Sequence, residues 1–231
     1  MKKLSNRLTK LAEFIVPGSF IADIGSDHCL LPIFLCEEGK IAGAFAVENK
    51  EGPYTRMVKA IKESGYEDMI AYSLSDGIEK LDSRCDTVIL AGMGGRLISE
   101  ILSSHKERLE NVKYIVVDAH TDLEIVYETL ASLNYEIEKS LFFLDKDKPY
   151  EVMRWKKANK KPVYTCLERK YGYFNVKDPN EAWKEYYTKQ VRILERIKRA
   201  LPMNSLKADE LADEIEEVES ILNINEKQSH S

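Results

Sequence analysis

Two aspartates, a serine and a histidine crowd around one glycine in Ile21-Ala22-Asp23-Ile24-Gly25-Ser26-Asp27-His28. The apolar run that leads into them, from Ser19 to Ile24, reads as a buried strand. The apolar positions that follow (Leu30, Leu31, Ile33, Phe34, Leu35) read as a helix. Strand, glycine turn and helix is how a doubly wound α/β domain opens a nucleotide pocket. Glycine lets a ligand approach the backbone where a side chain would hold it off. The spacing differs from the Gly-x-Gly-x-x-Gly of dinucleotide sites, whose further glycines would fall on Asp27 and Leu30. Asp23 and Asp27 would also repel a pyrophosphate, since like charges raise each other's energy. An acidic loop suits a ligand with a cationic or amino-bearing end.

Three more polar or glycine-rich stretches end apolar runs. Glu48 closes the second run, roughly 20 residues after the glycine, where an acid can accept both hydroxyls of a ribose. Asp76-Gly77 follows the third, where the acid can accept from an adenine amino group. Ala91-Gly92-Met93-Gly94-Gly95 follows the fourth, and its small residues leave room beside a reacting centre. Any one of these alone is more commonly a turn or helix-cap feature than a ligand contact. Together, at successive strand ends, they point to a nucleoside-type ligand. S-adenosylmethionine has that nucleoside and carries both a sulfonium and an ammonium group.

The elements that must position these residues follow from periodicity. Leu4, Leu8, Leu11 and Ile15 form a helical stripe that Pro17-Gly18 ends. Strands are expected over 19–24, 41–47, 69–74, 87–90 and 114–117, with helices between them. Pro53 stands in a first helical turn and Gly65 at a helix stop. The runs 137–144 and 150–155, joined by a charged turn over 145–148, read as two closing strands. The expected architecture is a mostly parallel Rossmann-like sheet with an antiparallel edge. Composition changes near Lys156, which sets a first domain at 1–158 and a linker with a helical domain at 159–231. There, one helix carries Trp183, Tyr187, Val191, Leu194, Ile197 and Leu201, and another carries Leu211, Ile215, Val218 and Leu222. Pro202 to Asn204 separates them into an α-helical hairpin with coiled-coil spacing. The first helix is basic and the second acidic. Either the two faces pair in salt bridges, or part of the basic helix faces nucleic acid.

Composition narrows the class. The chain has 231 residues, 44% hydrophobic and 32% charged, which describes a globular protein with a real core. A formal net charge of −5 argues against generic nucleic-acid affinity but leaves room for a local basic face. No run is long enough to span a bilayer, and Asn6, Arg7, Thr9 and Lys10 interrupt any signal-peptide core, so a cytoplasmic protein is expected. Cys29, Cys36, Cys85 and Cys166 form no Cys-x-x-Cys and have no histidine at ligand spacing, so mostly buried, reduced thiols and no metal are expected. His105 and His120 read as surface or loop residues, and His230 lies in a polar tail.

Asp23-Ile24-Gly25-Ser26-Asp27-His28, Leu31-Pro32, Glu51-Gly52-Pro53-Tyr54 and Ala91-Gly92-Met93-Gly94-Gly95-Arg96-Leu97-Ile98 together resemble the bacterial tRNA (adenine(22)-N(1))-methyltransferases. Ser5-Asn6-Arg7-Leu8 does so too, and the likeness runs over almost the whole chain. It implies a class I methyltransferase fold, S-adenosylmethionine as methyl donor, N1 of an adenine in the tRNA D-loop as acceptor, and a coiled-coil domain that helps hold the tRNA. By this resemblance Asp23, Gly25, Ser26, Asp27, His28, Glu48, Asn49, Asp76, Gly77, Ala91, Gly92, Met93 and Gly94 line the donor pocket. Arg7, Arg96, Lys189, Arg192 and Arg196 are the residues expected to meet tRNA, and the chain is expected to work as a monomer. One stretch departs from the family. Where an Ile-Leu-Gln-Pro-like sequence is usual, this chain has Ile115-Val116-Val117-Asp118-Ala119-His120, and no Arg occurs between Arg108 and Arg154.

Adenine N1 has a lone pair and can attack a methyl group without first losing a proton. A carboxylate that balances the growing positive charge is more useful than a base. Asp27 is the first candidate and Asp118 the second, though Asp118 can equally cap the next helix. A methyltransferase acting on another RNA position or on a small molecule would share these loops. A non-enzymatic coiled-coil interaction protein would not need them.

Overall fold

The computed structural model describes residues 4–202 and 205–228. Met203 and Asn204, in the expected break between the long helices, and His230 lie outside the described residues. Two compact units divide the chain: residues 1–141 with 150–163, and residues 142–149 with 164–231.

The first unit begins with helix α1 (Asn6–Ala12), capped by the Ser5 hydroxyl. Strands and helices then alternate: β1 (Phe20–Ile24), α2 (Leu30–Glu37), β2 (Gly43–Glu48), α3 (Glu51–Ser64), β3 (Ile70–Leu74), β4 (Thr87–Met93), α4 (Gly95–Ser104), β5 (Tyr114–Ala119) and α5 (Leu123–Ser132). Two long strands follow, β6 (Tyr135–Asp145) and β7 (Lys148–Lys157). Together they make one seven-stranded sheet in the order β3-β2-β1-β4-β5-β7-β6. The pairs among β1 to β5 are parallel, and β5 pairs antiparallel with β7. Chain order reverses between β1 and β4, which is where an open α/β sheet forms its ligand crevice.

The central strands β1 and β2 are buried almost end to end, as expected for parallel strands covered on both faces. Ile21, Ala44, Val88, Leu90 and Val116 lie fully inside. α3 ends as expected at Gly65, whose φ of +80° suits a residue without a side chain. Lys146 and Asp147 join β6 to β7 with φ of +52° and +63°, the backbone of a tight hairpin turn.

Several strand boundaries shift by one or two residues from expectation, and at two strand ends the difference bears on the site. β4 continues through Gly92 to Met93, three residues further, with a register shift against β5 between Ala91 and Met93. β5 also runs on, so Asp118 lies within the strand, opposite Ala91 on one side and Val152 on the other.

In the second unit, short helices α6 (Cys166–Tyr171) and α7 (Tyr173–Lys177) precede the long α8 (Glu181–Arg199) and α9 (Leu206–Gln228), which pack on each other. A capping box between Thr165 and Glu168 starts α6. The core of this unit is aromatic: Phe142, Tyr171 and Trp183 are buried with Val191, Val218 and Ile221. Trp183 stacks on Tyr187 at 4.2 Å between ring centres.

Candidate functional site

Because β3, β2, β1 and β4 are neighbours and parallel, the loops after them share one edge of the sheet. The loop after β1 is pinned there by its own backbone. The N–H groups of Gly25 and Ser26 both donate to the Val47 carbonyl, at 2.9 and 3.2 Å. The Asp27 N–H donates to Glu48 Oε1 at 2.6 Å, which ties the loop after β1 to the end of β2. Gly25 has a φ of +76°, and a Cβ there would lie 2.6 Å from the Met93 methyl carbon. Asp27 and Cys29 take positive φ without being glycine, so the loop holds strain where it bends.

Asp23 is buried, and the Ser26 hydroxyl donates to its Oδ2 at 2.5 Å. Burial pushes its carboxyl up to about 6, against the Ser26 hydrogen bond; Glu48 adds to the rise and Arg7 opposes it. Asp27 is half exposed and paired: Arg56 reaches its Oδ1 from Nε at 2.9 Å and from Nη2 at 2.8 Å. His28 Nε2 stands 3.7 Å from the other oxygen. Sequence reasoning missed Arg56. It lies one turn into α3 behind Glu51-Gly52-Pro53, where it looks like any solvent-facing arginine. Asn49 Nδ2 donates to Asp76 Oδ1 at 3.5 Å, which brings the second and third loops together. Gly77, at φ +50°, packs on Ile101 so closely that a Cβ would lie 2.8 Å from its Cγ2.

On the β4 side, the Arg7 guanidinium comes from α1 and lies over Gly92. A Cβ at Gly92, whose φ is +76°, would sit 3.2 Å from Arg7 Nη1. Arg7 Nη1 donates to Asp118 Oδ2 at 2.6 Å. Asp118 is fully buried, and its Oδ1 has no hydrogen-bond partner among the described residues. It does not cap the following helix: Asp122 holds that place, with no side-chain cap bond. Arg7 with Asp23, Gly25, Ser26, Asp27, His28 and Ala91 lines one open pocket, closed below by Leu8, Leu11 and Leu31. Gly94 begins α4 with space tight against Thr121, where a Cβ would be 3.1 Å from Oγ1.

The expected tRNA residues fall in different places. Arg7 belongs to the pocket. Arg96 is exposed on α4 and pairs with Asp122 at 3.2 Å. That carboxyl is held below its usual range by the Thr121 hydroxyl and by Arg96. Lys189 pairs with Glu185 at 2.7 Å, one turn back on α8. The other ion pairs of α8, Lys184 with Glu181 and Arg199 with Glu195, also run along the helix. Among the described residues neither Arg192 nor Arg196 meets a carboxylate, and both are exposed. Among the described residues, the ion pairs of α8 therefore run along the helix and none reaches α9. Of the cysteines, Cys29, Cys36 and Cys85 are buried and Cys166 is exposed. Among the described residues no cluster of three metal-ligating side chains forms, and no helix is long and apolar enough to cross a membrane.

The sequence matches the family model of a methyltransferase domain over residues 4–153. The tRNA (adenine(22)-N(1))-methyltransferase of Bacillus subtilis (strain 168) is 29% identical over 95% of this chain and 97% of its own length. The crystal structure of the B. subtilis M1A22 tRNA methyltransferase TrmK superposes with a TM-score of 0.84 at 27% identity, covering 96% of this chain and 99% of that one. M. capricolum TrmK, solved with the cofactor product S-adenosyl-homocysteine, gives a TM-score of 0.82 at 27% identity, over 96% and 98%.

Proposed function

We propose that this chain, which belongs to the methyltransferase-domain family, uses S-adenosylmethionine to methylate N1 of adenine 22 in the D-loop of tRNA. It does so as a cytoplasmic monomer. The observation that carries the tRNA half of this reading is the span of the B. subtilis match. At 95% of the chain it takes in the helical unit as well as the methyltransferase domain. A small-molecule enzyme has no need of that unit.

The pocket residues fit the donor. Gly25 and Gly92 leave room that a Cβ would fill, the buried Asp23 suits an ammonium group, and Glu48 stands at the strand end that meets a ribose. Asn49, Asp76 and Gly77 form the adenine end of the same cradle, and Ser26, His28, Ala91, Met93 and Gly94 complete its walls. Bound there, the donor supplies an electrophilic methyl group on sulfur. The protein contributes position and field. Adenine N1 brings its own lone pair, so the rate comes from holding it in line with the methyl group and excluding water. Asp27, whose Oδ1 is taken by Arg56, turns its other oxygen to the charge that grows on the adenine. Asp118 acts at one remove, by holding Arg7 in the pocket wall. N1 lies on the Watson–Crick edge, so the base must leave its stack before it can react.

Incubation with unmodified tRNA transcripts and labelled donor, followed by mapping of the product, tests the reading. Label at adenine 22, lost when that base is replaced, is the expected result. Label only on small molecules, or none, overturns it.

Two outcomes follow from the site. Asp23 is held near 6, above its unfolded value, so the folded apoprotein binds the extra proton between about 4 and 6, and this group's contribution to stability falls as pH rises through 6. Donor binding has the opposite sign, because an ammonium group prefers the ionised acid. Affinity for S-adenosylmethionine is expected to fall roughly tenfold from pH 7 to pH 5. Titration calorimetry on Asp23→Asn should show a weak, flat profile. For RNA docking, replacing Lys189, Arg192 and Arg196 with Gln is expected to weaken tRNA binding and lower the salt slope by about one for each phosphate no longer neutralised. An unchanged slope would remove α8 from the docking surface.

A further inference from the structure

We propose that His120 is the platform on which the target adenine stacks, with Tyr150 bracing it from behind. This rests on the methyltransferase reading and adds to it the residue that receives the base. An enzyme that draws a base out of its stack must offer another flat apolar face in return. The stretch that ends β4 and opens α4, Ala91-Gly92-Met93-Gly94-Gly95, has no aromatic residue. The neighbouring strand end supplies one. His120 is the first residue beyond β5, and its N–H donates to the Met93 carbonyl at 2.9 Å. The imidazole is thus rooted at the β4 end, the edge where Arg7 lies over Gly92.

The ring is exposed yet oriented. It meets Tyr150 edge to face, with centres 5.7 Å apart and planes at 74°. The sheet explains why the two meet. Asp118 pairs with Val152 in the antiparallel β5–β7 register, so continuing two residues places 120 opposite 150. A second partly exposed aromatic pair among the described residues of this unit, Tyr54 with Tyr72, belongs to α3 and β3. β3 is the far edge of the sheet, with β2, β1 and β4 between it and β5. The Arg7 cation at this edge is balanced by Asp118, which spares the adenine a like charge as it becomes cationic.

The test compares His120→Ala and His120→Phe with wild type in the full chain. Methylation of the transcript is followed together with the fluorescence of 2-aminopurine in place of adenine 22, recorded with S-adenosylhomocysteine bound. His120→Ala is expected to lose about 30-fold in kcat/KM and to leave the probe brighter, because an unstacked 2-aminopurine is less quenched. His120→Phe, which keeps a flat ring, should return both readings to within about threefold of wild type. Donor affinity should stay unchanged in both. Wild-type rates and quenching in His120→Ala, or a Phe variant as poor as Ala, overturn the platform while adenine methylation stands. A wild-type protein that leaves adenine 22 unmethylated overturns the function and the platform with it.

Discussion

Arg7→Met is expected to destabilise the protein by about 3–5 kcal/mol and to abolish methylation. Asp118 is fully buried, its Oδ1 has no partner among the described residues, and Arg7 is the cation 2.6 Å from its other oxygen. Methionine keeps the apolar stem and removes the charge, so a carboxylate is left in the sheet with nothing to balance it. For a chain of this size the loss corresponds to a fall of roughly 10 °C in Tm. The control is the double variant Arg7→Met/Asp118→Leu, which removes both charges at once. It should regain most of the stability, because replacing a whole buried pair costs far less than breaking one. Activity should not return, since the guanidinium over Gly92 is still missing. A single variant as stable as wild type in urea melts would show that Asp118 needs no partner.

Gly92→Val is expected to reduce donor binding and methylation by at least about 100-fold while the sheet still forms. Two costs coincide at this position. The backbone sits at φ +76°, where a β-branched residue is strained by on the order of 1–3 kcal/mol. The new Cβ would also stand 3.2 Å from Arg7 Nη1, so the guanidinium must move off Asp118 or the strand must open. Gly92→Ala carries the backbone strain without the branch and should fall between. Titration of S-adenosylhomocysteine against each variant, with a thermal melt beside it, separates a blocked pocket from a lost fold. Val tolerated at full affinity would mean that β4 does not approach the ligand here.

The alternation of strands and helices was legible because each buried strand is a nearly unbroken apolar run and each helix has its own stop. Pro53 in the first turn and Gly65 at the end set the limits of α3, for example. The acidic strand ends were legible for the same reason, since Asp23 and Glu48 interrupt apolar runs. Relations across the chain were not. Asp118 looks like the polar end of a strand, and its partner lies 111 residues away. Gly92 looks like a loop residue because a strand that continues through a register shift gives no local signal. Arg56 hides among the solvent-facing residues of α3, and only its contact with Asp27 marks it. The short helices α6 and α7 leave no periodic signal in the sequence for a different reason. Six and five residues give too little periodicity, although Thr165-x-x-Glu168 is a readable capping box.

The second unit includes residues 142–149, the tip of the β6–β7 hairpin. Asn180 shows how closely that tip is tied to the helices. Its Oδ1 accepts from the Trp183 N–H to cap α8, while its Nδ2 donates to the Phe142 carbonyl at 2.8 Å. Phe142 itself is almost fully buried against Tyr186 and Tyr187. The helical unit is therefore not a cassette that one cut can release. A fragment starting after residue 163 would lack the aromatic ring and the carbonyl that complete its core. Grafting it onto another enzyme would require transplanting the hairpin tip as well, so recombination at one junction cannot hand this unit from protein to protein.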